Sequence, residues 1–126
     1  EDRVREEALP VKMLGWVKDT SEAFSASDIS VLCSDNEAVS LVLIEGSQYG
    51  LPLVSTNVGS VSDVVIDHST GYLTESTPES FADAIEKLVR DSQLRKMMGE
   101  AGKARATQYF SLERMIKDHS DLYRSL

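Results

Sequence analysis

The sequence of 126 residues has little of what marks several functional classes. A single cysteine, Cys33, excludes an internal disulfide, and the two histidines, His68 and His119, stand too far apart to suggest a local metal motif. No run of roughly 18 or more apolar residues is available to span a bilayer, and the charged first residues lack the basic-then-apolar pattern of a signal peptide. The cytoplasm is the expected compartment. Nucleic acid is not an expected partner, because the formal net charge is -8 and polyanion binding draws on Lys and Arg that release counterions. The distribution of charge says more than its total. Between Asp19 and Glu86 there is no Lys or Arg at all, whereas nine basic residues against five acidic ones follow Glu86. An anion held by the middle segment must be met by backbone N–H groups, by a helix N-terminus, or by cations from elsewhere.

What is present fits one globular domain: 41% of the residues are apolar, enough for a core at this length. Short apolar runs alternate with helical patterns, the signature of βα units around a parallel sheet. Strands are expected at Val11 to Leu14, Ile29 to Cys33, Leu53 to Ser55 and Tyr72 to Leu73. A helix is expected over Ser21 to Ala26 with Phe24 inward, and a second from Ser40 to Gly50, where glycine followed by Pro52 ends it. Thr77-Pro78-Glu79 supplies a hydroxyl cap, a first-turn proline and a carboxylate at the positive dipole end. Phe81, Ile85, Leu88 and Val89 then recur at helical spacing. Ser92 is expected to cap a further helix, weakened by Gly99 and Gly102, and Ser111 to open a last amphipathic one with Leu112, Met115, Ile116, Leu122 and Tyr123. The remaining Met and aromatic positions read as core, Cys33 as a small buried hydrophobe, and His68 as a surface turn residue.

The chemistry concentrates in Ser34-Asp35-Asn36-Glu37-Ala38-Val39-Ser40-Leu41-Val42-Leu43-Ile44-Glu45. This stretch leaves a strand and opens a helix, so it lies at the carboxyl edge of the sheet, where open α/β folds bind ligands. Ser40 is a natural cap that leaves first-turn N–H groups free to meet an anion. Glu37 in the loop and Glu45 within the helix frame the turn. At about 100° per residue Glu45 falls nearly opposite Ser47, so a solvent-facing Ser47 turns Glu45 inward. A ribose diol offers two donors to such a carboxylate. Spacing alone equally allows Glu37 as a solvated loop residue and Glu45 as a helix carboxylate paired with a local group.

Along almost its whole length the chain resembles the C-terminal half of the retaining glycosyltransferases of the GT-B fold. The likeness runs through Val11-Lys12-Met13-Leu14-Gly15-Trp16-Val17, Ser27-Asp28-Ile29-Ser30-Val31-Leu32, Ser34, the Glu37 and Glu45 pair and Gly50-Leu51-Pro52-Leu53-Val54-Ser55-Thr56. It continues in Val58-Gly59, Asp67, Gly71-Tyr72-Leu73, Leu94 to Gly102 and Tyr109-Phe110-Ser111. The resemblance implies an α/β fold, a Rossmann-like parallel sheet flanked by helices, forming an incomplete C-terminal half of a GT-B enzyme. Residues 1–126 would be part of a donor-binding domain whose acceptor-binding N-terminal domain is missing.

It also implies roles. Glu37, the catalytic candidate, would hydrogen-bond the donor sugar, and Glu45 would hold the ribose. Backbone at Ser40 and Leu41 would meet the diphosphate, Gly15, Trp16 and Val17 would lie against the base, and Thr56, Gly59 and Ser60 would form a neighbouring loop at the cleft, with Thr56 and Gly59 among the donor-binding residues. The partner would be a nucleotide-diphosphate sugar used as substrate, with no cofactor and no metal, in polysaccharide or glycolipid synthesis. Ala38, Gly46-Ser47, Ser60 and Asp63 depart from the usual pattern. The Arg and Lys that the family brings to the diphosphate belong to βα units absent from this sequence, so the isolated chain is expected to be inactive. Uncovered, the strand at Val11 to Leu14 and the last helix are expected to drive self-association. Two other readings share the α/β class: a non-catalytic binding or scaffold module, and a phospho-acceptor receiver domain. The second would need a lysine after a late strand, where Thr56-Asn57 stands.

Overall fold

The computed structural model describes residue 4 and residues 6–126. Its elements follow in the order α1 (Ser21–Ser25), β1 (Ser30–Leu32), α2 (Leu41–Gln48), β2 (Leu53–Thr56), α3 (Val61–Val64), β3 (Gly71–Thr74), α4 (Pro78–Arg90), α5 (Ser92–Tyr109) and α6 (Leu112–Ser125). The three strands form a parallel sheet in the order β1-β2-β3, with Ser30 opposite Leu53 and Leu53 opposite Gly71. β2 is central and buried along its whole length, as a strand covered on both faces requires.

Alternation along β2 divides the core into two. Leu53 points to one face, where it packs with Leu43 of α2 and with Val61, Val64 and Val65 in and after α3. Val54 points to the other, with Tyr72, Ala84, Leu88 and Met98 from β3, α4 and α5. Small residues let the helices approach closely. A Cβ on Gly46 would stand 2.6 Å from the Ser30 hydroxyl, and one on Gly99 only 1.9 Å from the Gly50 carbonyl oxygen. α2 ends as its sequence demands: Gly50 takes φ +76, and the N–H groups of Gly50 and Leu51 donate back to the carbonyls of Ser47 and Gly46. The Arg105 guanidinium of α5 donates to the Asp63 carbonyl at 2.6 Å and lies over the Tyr109 ring, tying α5 to α3.

α4 begins where expected, with the Thr77 hydroxyl accepting from Ser80 N–H. For α5 the cap is Asp91, whose carboxylate accepts from Leu94 N–H at 2.9 Å, so Ser92 is the first helical residue instead of the cap. α6 is capped by Ser111 and buries none of its residues. Its Leu112, Met115, Ile116, Leu122 and Tyr123 are all exposed. Its polar side is laced by the pairs Arg114–Asp118 and Lys117–Asp121, each worth a few tenths of a kcal/mol, ~0.2–0.5. Among the described residues no helix is long and apolar enough to cross a membrane.

The strand expected at Val11 to Leu14 is not formed; the segment lies outside helices and strands, with Val11, Met13 and Leu14 exposed. An extended apolar segment becomes a strand only as a member of a ladder, and this one pairs with none of the three strands.

Candidate functional site

The carboxyl ends of β1 and β2 and the amino end of α2 converge on the loop from Ser34 to Ser40. Ser40 is the N-cap of α2 and accepts from Leu43 N–H through its buried hydroxyl. A capped start leaves the amides of Leu41 and Val42 without intrahelical acceptors, at the positive end of the helix dipole. Leu41 itself is exposed.

Glu37 is half-buried in the loop. Its carbonyl lies directly over Gly59, whose φ is +54; a Cβ on Gly59 would come within 1.6 Å of that oxygen. Thr56, at the end of β2, donates its hydroxyl to the Ser34 carbonyl at 2.6 Å. Thr56 is 4% exposed, so its hydroxyl is committed to the loop instead of being open to a ligand. The structure thus brings Glu37, Ser40, Leu41, Thr56 and Gly59 around one turn.

Glu45 reaches a different neighbour. It is exposed, and its carboxylate accepts from the Thr20 hydroxyl at 3.4 Å. Thr20 precedes α1, whose Phe24 is half-buried and stacks on Tyr49 with ring centroids 5.4 Å apart. These two contacts fasten α1, and with it the end of the loop carrying Gly15, Trp16 and Val17, to α2. Within that loop Gly15 has open space around it and Trp16 is 86% exposed. At the loop's end, hydrogen bonds from the Ser21 side chain and then its N–H hold the Asp19 carboxyl below its usual range.

The orientation of α2 reverses one expectation. Ser47 is 3% exposed and Glu45 faces solvent, not the converse. The helix turns its smallest residues, Gly46 and Ser47, toward β1 and α5 because only they admit that approach, as Gly46 does at Ser30 and Ser47 beside Gly102. Two cavities open near this edge. One of about 560 Å³ runs between α2 and the start of α6, past Leu41, Ile44, Phe110, Leu112 and Met115. Another of about 400 Å³ opens on the α4 side of the carboxyl edge, past Cys33, Asp35, Thr56, Phe81 and Ile85. Cys33 is exposed at that edge, not buried. Among the described residues no group of three or more His, Cys, Asp or Glu side chains is placed to hold a metal ion.

Comparison with known proteins shows the family. Residues 5–105 match the family described as glycosyl transferases group 1. N-acetyl-alpha-D-glucosaminyl L-malate synthase of Bacillus anthracis is 31% identical over 114 residues, covering 90% of this chain and 30% of that protein. Sucrose-phosphate synthase from Thermosynechococcus elongatus superposes with a TM-score of 0.91 at 28% identity, over 98% of this chain and 32% of that one. The Anabaena protein HepE, solved in complex with UDP, superposes with a TM-score of 0.91 over 99% of this chain and 35% of its own, and at 24% identity the likeness is one of fold. The chain therefore spans about a third of the length of these proteins.

Proposed function

The chain belongs to the group 1 glycosyl transferases, and from that membership we propose that it is the part of such an enzyme that holds the nucleotide-sugar donor. The observation that carries this is the turn at the carboxyl edge: an open, Ser40-capped helix start beside a glutamate clasped from below, in a segment with no Lys or Arg from Asp19 to Glu86. The amides of Leu41 and Val42 take the diphosphate, Glu37 accepts from hydroxyls of the sugar, and Glu45 accepts from the ribose. The Gly15-Trp16-Val17 loop, tethered through Thr20, lies along the base. That HepE was solved with UDP supports a nucleoside diphosphate as the ligand class.

In this reading transfer retains the anomeric configuration and serves polysaccharide or glycolipid synthesis. The acceptor and the remaining cations come from the rest of the enzyme, including an N-terminal acceptor domain. Charge that develops on the departing diphosphate needs more than one helix dipole to balance it, so this chain alone binds donor without transferring sugar.

Calorimetry with UDP, GDP and ADP tests the binding, and a labelled-sugar assay tests the transfer. Glu45→Gln should weaken nucleotide binding by about 1.5 to 3 kcal/mol, the range for hydrogen bonds to a charged group. Glu37→Gln should instead remove the advantage of the nucleotide sugar over the bare nucleotide. Both side chains lie outside the core, so stability should change by less than about 0.5 kcal/mol. Unchanged nucleotide affinity in Glu45→Gln would assign that carboxylate to its Thr20 contact alone. Binding without transfer in every longer form of the protein would favour a non-catalytic binding module.

For the chain on its own we further propose self-association through α6, whose five exposed apolar side chains share one face of the helix, interrupted by His119. Light scattering over a dilution series should detect a dimer or larger species, and Met115→Glu should shift it to monomer. A monomer at every concentration would refute this.

A further inference from the structure

The loop from Ser34 to Val39 has neither helix nor strand, so its shape is set by what touches it. One anchor comes from the end of β2 and the other from the turn that follows it. At its start the Ser34 carbonyl accepts from the Thr56 hydroxyl at 2.6 Å, across 22 residues of sequence. At its middle the Glu37 carbonyl rests on the bare α-carbon of Gly59. β2 itself is held rigidly at this end. Its carbonyls at Ser55 and Thr56 accept from the hydroxyls of Thr74 and Ser55, and Asn57 N–H donates to the Thr74 carbonyl.

We propose that Thr56 is a positioning residue for the donor sugar: its buried hydroxyl pins the start of the loop, and Gly59 sets the height of Glu37, so that the carboxylate is aimed from the end of β2 and the turn after it instead of by the loop's own structure. The proposal rests on the reading of Glu37 as the sugar-binding group. It departs from the expectation that Thr56 meets the donor directly, because a hydroxyl spent on Ser34 in a side chain 4% exposed has no proton left for a ligand. Thr56 also lines the cavity on the α4 side of the edge, next to Cys33 and Asp35. Thr56→Val keeps the β-branched shape and removes the hydroxyl that donates to the Ser34 carbonyl.

The test compares the parent chain with Thr56→Val and Thr56→Ser in three measurements: melting temperature, backbone ¹⁵N order parameters over Asp35 to Val39, and affinity for UDP and UDP-glucose. In Thr56→Val the order parameters should fall to the flexible range, below about 0.6, while the fold persists. Affinity for UDP-glucose should drop about tenfold, the size of one lost hydrogen bond, and affinity for UDP by less than about twofold. Thr56→Ser keeps the hydroxyl and should match the parent in both. Parent-like order parameters and UDP-glucose affinity in a folded Thr56→Val would overturn the assignment. So would equal losses for UDP and UDP-glucose with an unmoved loop, which mark Thr56 as a direct nucleotide contact. A loosened loop in a chain whose parent binds none of UDP, GDP, ADP and UDP-glucose would remove the donor reading while leaving the latch in place.

Discussion

Replacing Gly99 with alanine should destabilise the chain by about 2 kcal/mol or more, whereas the same change three residues on, at Gly102, should stabilise it by up to about 1 kcal/mol. Both glycines lie inside α5 and both are buried. On propensity alone alanine gains about 1 kcal/mol at either position. Space decides the sign. A Cβ on Gly99 would meet the Gly50 carbonyl oxygen at 1.9 Å and its carbon at 2.8 Å, and neither can rotate away, because both are backbone at the end of α2. On Gly102 the nearest atoms are at 3.6, 3.8 and 3.9 Å, ordinary van der Waals distances. Thermal and urea unfolding would resolve the pair, since about 1 kcal/mol moves the melting temperature of a domain this size by roughly 4 °C. A Gly99→Ala chain as stable as its parent would mean that α5 crosses α2 at a greater distance than described.

The second large effect is expected at Gly59, and it falls on binding more than on folding. Alanine there brings two costs together. Its φ of +54 disfavours any L side chain by about 1 to 2 kcal/mol, and its Cβ would occupy the Glu37 carbonyl oxygen at 1.6 Å. The turn after β2 or the loop after β1 must yield. The loop carries no regular structure and lies at the surface, so it moves at modest cost to the core. Its displacement takes the Glu37 carboxylate out of register with the donor. UDP-glucose binding should weaken on the order of a hundredfold, which is about 2.7 kcal/mol, while bare UDP loses far less. Calorimetry with both ligands, alongside a melting curve, separates a moved loop from an unfolded chain. A variant that binds UDP-glucose as the parent does would show that Glu37 is not the group that holds the sugar.

Where local signals and packing agree, the fold was legible in the sequence. Thr77-Pro78-Glu79 marked the start of α4 because cap, proline and dipole all act within one turn. β2 and β3 were located to within one residue of each end, since buried parallel strands read as short apolar runs closed by polar residues. Misreadings arose where a distant neighbour decides. Val89 was placed on the apolar face of α4 but is 62% exposed, and Ala84 holds the position between Phe81 and Leu88 against the sheet. Gly99 and Gly102 read as weaknesses of α5, because propensity records their entropy and not the backbone they admit. α3 is too short, at four residues, to show any period.

The site divides in the same way. Glu37, Ser40 and Glu45 were visible as a loop and cap with two carboxylates, and Gly59 as part of a neighbouring loop. Which side of α2 meets solvent depended on Gly46 fitting against Ser30, a contact no helical period encodes. The Thr56 hydroxyl bond to Ser34 spans 22 residues and was invisible for that reason.

The parallel register also governs how this chain comes to its shape. Ser30 must find Leu53, and Leu53 must find Gly71, each across a closed helical excursion, before either ladder repays the entropy of bringing the ends together. α4, α5 and α6 need no such search, being built from neighbours in sequence. β2, the strand with two partners to meet, therefore carries the largest cost of loop closure. The loop that presents Glu37 takes its form only once β1 and β2 are paired, because Thr56 at the end of β2 and Gly59 in the turn after it are what hold it.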